Sequence, residues 1–205
     1  MPMNIVDEKF NEWTQGLDQV QARISVFRHI RDIPYAVVPS IMDYRGYRDI
    51  LKIGLGSCSP KHFLLCEMFQ RLGLPVLYVV YPHRWEEIAK IMGEYSERLE
   101  QMALALPVSR HLACKVEIDD RLVLVDATID LPLQKAGFTV NAGWDGKSDM
   151  LLPVTPIGAE DWYYHSEGRL MRTSVAPQFQ AFYPELNRFL DQMRRLYNYL
   201  LVIDE

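Results

Sequence analysis

Apolar residues in the first third of the chain recur at steps of three and four, the spacing of one face of an α-helix. This stripe consists of Leu17, Val20, Ile24, Phe27 and Ile30. It stops at Asp32-Ile33-Pro34, where proline disfavours helix in the residue before it. The pattern therefore predicts a helix that ends just before this proline, followed by a loop-like segment over 34–56.

The rest of the chain alternates between periodic segments and segments rich in glycine and proline. In chain order, the pattern predicts a helix from about Ser59 to Leu72 capped by Gly73, a strand over Leu74–Tyr81, a helix from Arg84 to about Leu106, strands over His111–Ile118 and Arg121–Thr128, and an amphipathic helix from about Pro184 to Leu201. Residues 129–180 give only short β-like pieces. No linker divides the chain, so we expect a single domain over 1–205.

Composition and charge narrow the class of protein. With 49% hydrophobic and 24% charged residues, the 205-residue chain has the make-up of a globular protein, not of a disordered one. The formal net charge of −5 disfavours a broad phosphate-binding surface, so we expect no nucleic-acid partner. No apolar stretch approaches the ~20 residues of a membrane span, and the start of the chain lacks the pattern of a signal peptide. Three cysteines do not suggest a disulfide scaffold, and a reducing cytoplasm is the expected compartment.

The segment around Cys58 carries the clearest chemical signal. Glycines precede Ser57-Cys58-Ser59, and Pro60 stands where the first turn of a helix tolerates proline. Either serine can serve as the N-cap, which places the thiol in the first helical turn. The unpaired N–H groups there favour an anion, so the pKa of the Cys58 thiol should be lowered. This position suits a nucleophile, whereas Cys66, inside the same apolar helix, is expected in the core.

The predicted hairpin offers a base and an orienting acid. If Asp119 and Asp120 form a two-residue turn, alternation places His111, Ala113, Asp126 and Thr128 on one face. His111 and Asp126 are then diagonal neighbours, within reach of a side-chain hydrogen bond. The opposite face is apolar and includes Cys114, which we therefore expect in the core.

These segments together resemble the transglutaminase-like superfamily of papain-like cysteine enzymes, over roughly residues 22–132. Two segments are similar to motifs of the family: Val26–Tyr35 to the segment leading to "I-x-Y", and Val125-Asp126-Ala127-Thr128 to "V-D-[PA]-T". The other matching features are Gly56-Ser57-Cys58 with the helix after it, the strand Leu74–Val80, and His111 at the start of a strand. Residues 133–205 would form a C-terminal extension that ends in the terminal helix.

The resemblance implies both a fold and a chemistry. The fold would be α+β, with a helical lobe packed on an antiparallel β-sheet, as in transglutaminase-like and cysteine-proteinase-like proteins. Cys58 would be the nucleophile, His111 the general base and Asp126 the orienting acid of an enzyme that acts on an amide or peptide bond through a thioester. Ser59 stands where true transglutaminases tend to have an aromatic residue, which disfavours protein cross-linking as the reaction. Hydrolysis is favoured because water, unlike an amine acceptor, needs no binding site of its own. No cofactor and no metal are implied, and the expected partner is a peptide or amide substrate.

Alternatives stay open at this point. Cys58, His62 and Cys66 share a helical face and could ligate zinc, although His62 fits an exposed polar position as well. The chain could also be a catalytically inactive binding module on the same scaffold. Tyr35, Tyr44 and Tyr47 are candidates for a second oxyanion donor only because their loop precedes Cys58. The other histidines, His29, His83 and His165, are expected on a helix flank, in loops or on the surface.

Overall fold

The structure is a computed structural model that describes residues 4–86, 96–164 and 177–203, with Tyr164 and 197–203 described by their backbone alone. Its helices are α1 (Ile5–Thr14), α2 (Gln19–Arg31), α3 (Ile50–Ile53), α4 (Cys58–Arg71), α5 (Glu97–Leu104) and α6 (Pro177–Ile203). Its strands are β1 (Val76–His83), β2 (Ser109–Ile118), β3 (Arg121–Val125) and β4 (Asp161–Tyr164). Short 3₁₀ turns lie at Pro39–Ile41, Tyr47–Asp49 and Leu131–Ala136.

Within the described residues, the strands form one antiparallel sheet in the order β3-β2-β1-β4, and the fold is α+β. Helix α4 packs against β1 and β2 on one side and against α2 on another. Its side chains from Pro60 to Phe69 are all buried, so this helix forms the centre of the main hydrophobic core. The nucleophile candidate Cys58 therefore lies at the start of the most enclosed helix of the molecule's described part.

The central hairpin has the predicted register. Ile118 pairs with Arg121 and Cys114 pairs with Val125, so Asp119 and Asp120 form the two-residue turn. Both turn residues have positive φ, 50° and 60°, as this turn type requires. Cys114 is fully buried in the main core, as is Cys66, which confirms the interpretation of both as core residues.

Several predicted boundaries are confirmed and others are wrong. Helix α2 ends at Arg31 and α4 is followed by Gly73 at φ 77°, both as expected. The segment 34–56 is not purely a loop, because it holds α3 and two 3₁₀ turns. The predicted helix Arg84–Leu106 is seen as α5, and its part over 87–95 lies outside the described residues.

The terminal helix differs most from its prediction. It begins at Pro177, so Pro184 lies inside it and not at its start. Proline in a helix interior removes one backbone hydrogen bond and normally favours a helix end. Here Phe182 and Leu186, on either side of Pro184, are fully buried, and this packing keeps the helix continuous. None of the described helices is both long and apolar enough to cross a membrane.

Candidate active site

Cys58 is held at the N-terminus of α4 by the loop that precedes it. Ser57 is the N-cap residue, and its extended backbone turns the chain into the helix. Gly56 pairs with the segment at Tyr35, donating its N–H to the Pro34 carbonyl and accepting from the Ala36 N–H. A β-carbon on Gly56 would lie 2.3 Å from the buried Ile50 Cδ1, which explains why glycine fits there. The thiol is partly buried and lines a pocket of about 770 Å³, including its open mouth.

His111 and Asp126 form the ion pair that the hairpin parity predicts. Nε2 of His111 lies 2.6 Å from Oδ2 of Asp126, and both side chains are almost fully buried. Oδ1 of the same carboxylate accepts the N–H of Thr128 at 2.9 Å, which fixes its orientation. Nε2 is engaged by Asp126, and the Cys58 thiol lines the same pocket as His111, close enough to raise the pKa of the His111 ring. The three predicted site residues therefore lie together.

The electrostatics of the pair favour charged forms of both partners. Burial alone lowers the pKa of His111, but the Asp126 charge, its hydrogen bond and the Cys58 thiol raise it to about 10. Burial alone raises the pKa of Asp126, whereas the His111 charge and hydrogen bond, with smaller contributions from His62 and the Thr128 N–H, lower it to about 2. The imidazolium and carboxylate are thus the forms present near neutral pH.

His62 does not lie in the exposed position that its sequence context suggested. The side chain is fully buried instead of exposed. Its Nδ1–H donates to the Cys58 carbonyl at 2.8 Å, and its Nε2 accepts the Ala127 N–H at 3.1 Å. Burial lowers its pKa to about 4, so the ring is neutral and bridges the first turn of α4 to the end of β3. With both ring nitrogens engaged, His62 is not placed to ligate a metal.

A buried cation makes a second bridge at the same place. Lys61 is fully buried and its Nζ donates to the carbonyls of Arg31, Ile33 and Thr128, at 2.8, 2.8 and 2.7 Å. Burial lowers the pKa of Lys61, while Asp130 and Asp126 oppose that effect. Three acceptors match the three protons of an ammonium. Lys61 and His62 together fix Cys58 relative to the Asp126 strand end.

The C-terminal segment forms one wall of the pocket. Leu186 and Leu190 of α6 line it, as does Phe138 from the segment after the hairpin. Helix α6 is anchored by Arg194, whose guanidinium donates to both oxygens of the buried Asp130 at 2.7 Å. Residues 133–205 therefore take part in the site and do not merely cover the sheet.

Other sequence expectations have mixed outcomes. Tyr35 lines the pocket, but Tyr44 and Tyr47 pack against Phe63, and the Tyr47 hydroxyl donates to Glu67. His83 is wrongly predicted as a surface residue, because it is the last residue of β1 and is buried beside Trp85. His29 lies exposed on α2 as expected, and His165 falls outside the described residues. Across the described ranges, no group of three or more His, Cys, Asp or Glu residues is arranged to hold a metal ion.

Sequence reasoning missed the polar residues that support the site. Lys61, His62 and Arg194 have no motif of their own, and each acts through partners far away in the chain. One signal was available for His62, since a residue four positions after Cys58 lies above it on the same helical face. The fold and the site together define an α+β protein with a cysteine and a histidine in one pocket and an aspartate buried beside the histidine.

Comparisons with known proteins show a distant likeness to a solved structure. No family model matches the chain, and no curated protein matches its sequence. Among solved structures, the chain is similar to a "putative cysteine protease" from Cytophaga hutchinsonii, with 13% identity and a TM-score of 0.39. The match covers 65% of this chain and 42% of that one, so the chain spans less than half the length of that protein.

Proposed function

We propose that this protein is a cysteine-dependent acyl-transfer enzyme of the transglutaminase-like type. It cleaves an amide or peptide bond through a thioester, and water is the favoured acceptor. Cys58 is the nucleophile, His111 the general acid and base, and Asp126 the group that orients the imidazole.

One observation carries the proposal. The buried His111–Asp126 pair, 2.6 Å apart, lies beside a thiol at a helix N-terminus, and that thiol and His111 line the same pocket. A thiolate at that position is favoured both by the imidazolium and by the unpaired N–H groups of the first turn. If His111 and Asp126 had only a structural role, a cysteine thiol beside His111 would not be expected.

Acylation follows from this arrangement. The Cys58 thiolate attacks the amide carbonyl carbon, and a C–S bond forms as the carbonyl oxygen takes up negative charge. The N–H of Cys58 at the start of α4 is placed to stabilise that oxyanion. His111 then gives its proton to the amide nitrogen, the C–N bond breaks, and the amine leaves.

In deacylation, His111 acts as a base and takes up a proton again. Neutral His111 takes a proton from water as the water oxygen attacks the thioester carbonyl carbon. The C–S bond breaks, the carboxylic acid leaves, and the thiolate–imidazolium pair is restored. An amine in place of water would give a new amide, but water needs no binding site of its own, which is why we favour hydrolysis.

The proposal can be tested by measuring the alkylation rate of each cysteine as a function of pH. We expect iodoacetamide to modify Cys58 rapidly at about pH 6, well below the ~8.5 at which an ordinary thiol titrates. Loss of the imidazolium in His111→Ala should slow Cys58 at that pH by at least about tenfold. Peptide mass spectrometry resolves the three cysteines, and the buried Cys66 and Cys114 serve as internal references.

The matched control is His29→Ala, which removes an exposed imidazole that stacks on Trp13. It should leave the Cys58 profile unchanged. If Cys58 is inert, or titrates as a free thiol both in the parent and in His111→Ala, the enzyme proposal fails. The chain would then be a binding module on this scaffold.

A further inference from the structure

The pocket beside Cys58 contains polar atoms that its own walls leave without a hydrogen bond. Ser57 Oγ, Trp85 Nε1, Ser109 Oγ and Thr128 Oγ1 are buried and have no hydrogen-bond partner among the described residues. All four residues line the pocket, and none is more than 8% exposed. Buried polar groups are normally paired, because leaving them unpaired costs free energy. Each of these atoms therefore has unused hydrogen-bonding capacity at the wall of the pocket.

Three of these polar atoms belong to residues that lie close to the reacting residues in the chain. Ser57 adjoins Cys58, Ser109 is two residues before His111, and Thr128 is two residues after Asp126. Three hydroxyls can each donate or accept a hydrogen bond. This set, which we call the polar collar (Ser57, Ser109 and Thr128), suits the carbonyl end of an acyl group at the thiol.

The remaining walls are apolar and come from other parts of the chain. They are provided by Val37 and Met42, by Phe138 and Val154, and by Leu186 and Leu190 of α6. All of these side chains are buried. A hydrocarbon or aromatic group that reaches past the polar collar would meet these walls and gain from burial there.

Charge restricts the pocket further. No carboxylate is found among its described lining residues. Its cations are His111 and Arg110, and the Arg110 side chain is 65% exposed and directed towards Asp161. A cationic group on the substrate would therefore be desolvated without a counter-ion. An acidic group would also lack a partner, because His111 is already paired with Asp126 and Arg110 is exposed near Asp161. Both cases are strongly unfavourable.

From the collar, the walls and the charge we infer that the pocket accepts uncharged acyl groups, with the carbonyl at the polar collar and an apolar body against α6. This inference rests on the proposed function and names the substrate class of that site. Lysine-like, arginine-like and acidic acyl groups are excluded. Residues outside 22–132 thus supply part of the acyl-binding wall, namely Phe138, Val154, Leu186 and Leu190.

Matched activated esters test the inference. The probes are the p-nitrophenyl esters of hexanoic acid, 6-aminohexanoic acid and adipic acid (the monoester), which share a six-carbon chain and differ in end charge. The Cys58 thiolate attacks the ester carbonyl carbon, the C–S bond forms, the C–O bond breaks and p-nitrophenolate leaves. The thioester is quantified by peptide mass spectrometry, and each rate is divided by that of free glutathione with the same ester.

We expect hexanoyl transfer to Cys58 to be at least about tenfold faster than transfer of either charged group. Val154→Asp places a carboxylate in the wall and should reduce hexanoyl transfer while raising 6-aminohexanoyl transfer. Leu151→Asp, in the same loop but 68% exposed, is the matched control and should change neither. Equal rates for the three esters in the parent would overturn the inference.

A binding measurement separates this inference from the proposed function and does not depend on Val154→Asp folding. The Cys58→Ala variant is titrated with hexanamide, 6-aminohexanamide and adipamic acid, and binding is followed by saturation-transfer NMR. Preferential binding of hexanamide supports the inference even if parent Cys58 is never acylated, a result that would sink the proposed function alone. Acylation of parent Cys58 without any charge preference, in rates or in binding, sinks the inference alone.

Discussion

The ammonium of Lys61 joins three segments that are far apart in the chain. Its carbonyl partners end α2, begin the loop towards Tyr35 and follow β3. Lys61 stands one helical turn after Cys58, so these contacts fix the thiol relative to the segment that carries Asp126. We regard Lys61 as a positioning residue, because its hydrogen bonds go to backbone carbonyls and not to the reacting side chains.

We predict that Lys61→Met lowers the free energy of unfolding by about 3 kcal/mol or more. The substitution keeps the length of the side chain but leaves three carbonyls without their donor, and each buried unsatisfied group costs about 1–3 kcal/mol. Urea unfolding followed by circular dichroism measures the change. Lys52→Met is the control, because Lys52 is 65% exposed and only pairs with Asp49. Comparable losses in both variants would contradict this role for Lys61.

Local sequence features identified Cys58, His111 and Asp126, but not the residues that hold them. A helix start and a two-residue turn are local, so the placement of these three side chains follows from counting along the chain. His62 was misplaced because α4 is buried on nearly all sides, and a helix of that kind has no polar face to show which side chains are exposed. Lys61 could not be predicted because its acceptors are backbone carbonyls, which every residue has, so no side chain in the sequence indicates them.

Among the elements, α6 depends most on polar anchors. Arg194 donates to both oxygens of Asp130 and to the Tyr35 carbonyl. About two helical turns earlier, the Asn187 side chain accepts the Val37 N–H and donates to the Val37 carbonyl, at 2.8 and 2.9 Å. Both anchors attach α6 to the loop after α2, and Leu186 and Leu190, next to Asn187 and between the anchors respectively, line the pocket.

We predict that Arg194→Met loosens α6 and lowers the free energy of unfolding by about 3 kcal/mol, since it leaves Asp130 as a buried charge without its cation. Hydrogen exchange read by mass spectrometry should show faster exchange over 177–196 than in the parent. Arg188→Met on the same helix is the control, because the Arg188 side chain is 70% exposed and pairs only with Glu185 nearby. Unchanged protection of α6 in Arg194→Met would show that apolar packing alone holds the helix.

The sequence predicted the hairpin and α4 well, because each is defined by residues within a short window. Asp119 and Asp120 were read correctly as a two-residue turn although both must adopt positive φ. The start of α6 could not be predicted, because Pro184 is a helix-breaking signal that tertiary packing of Phe182 and Leu186 overrides. The role of α6 in the pocket was equally out of reach, since it depends on contacts across the whole chain.

At the scale of the molecule, the site lies where two hydrophobic clusters meet. The main cluster surrounds α4 and the central strands, and the second gathers α5, α6 and the segment around Phe138. The His111–Asp126 pair is almost fully buried, so its two charges affect the stability of the whole protein. A group whose pKa differs between folded and unfolded states makes stability depend on pH.

The sign of that dependence differs for the two partners. The folded pKa of His111, about 10, is above the unfolded value of ~6.5, so its contribution is fully present below about pH 6.5 and is lost as the pH rises towards 10. The folded pKa of Asp126, about 2, is below the unfolded ~3.9, so its contribution is present above about pH 4 and is lost as the pH falls towards 2. The folded pKa of Lys61, about 7, is below the unfolded value of ~10.4, so the contribution of Lys61 to stability increases as the pH rises above 7. This change is opposite to that of His111.

We therefore predict how the ion pair changes stability between about pH 5 and pH 9.5. The double variant His111→Gln with Asp126→Asn removes both charges and keeps Lys61, so its difference from the parent reports mainly on the pair, with a smaller change in the Lys61 pKa from the loss of the Asp126 charge. Parent stability relative to the variant should be greatest near pH 5 to 6 and should fall by up to about 1.4 kcal/mol per pH unit above 6.5, the slope for one proton. Urea unfolding at several pH values measures this difference. A difference that stays constant up to about pH 9.5 would mean that His111 is neutral in the folded protein, and the thiolate–imidazolium pair of the proposed mechanism would then have no support.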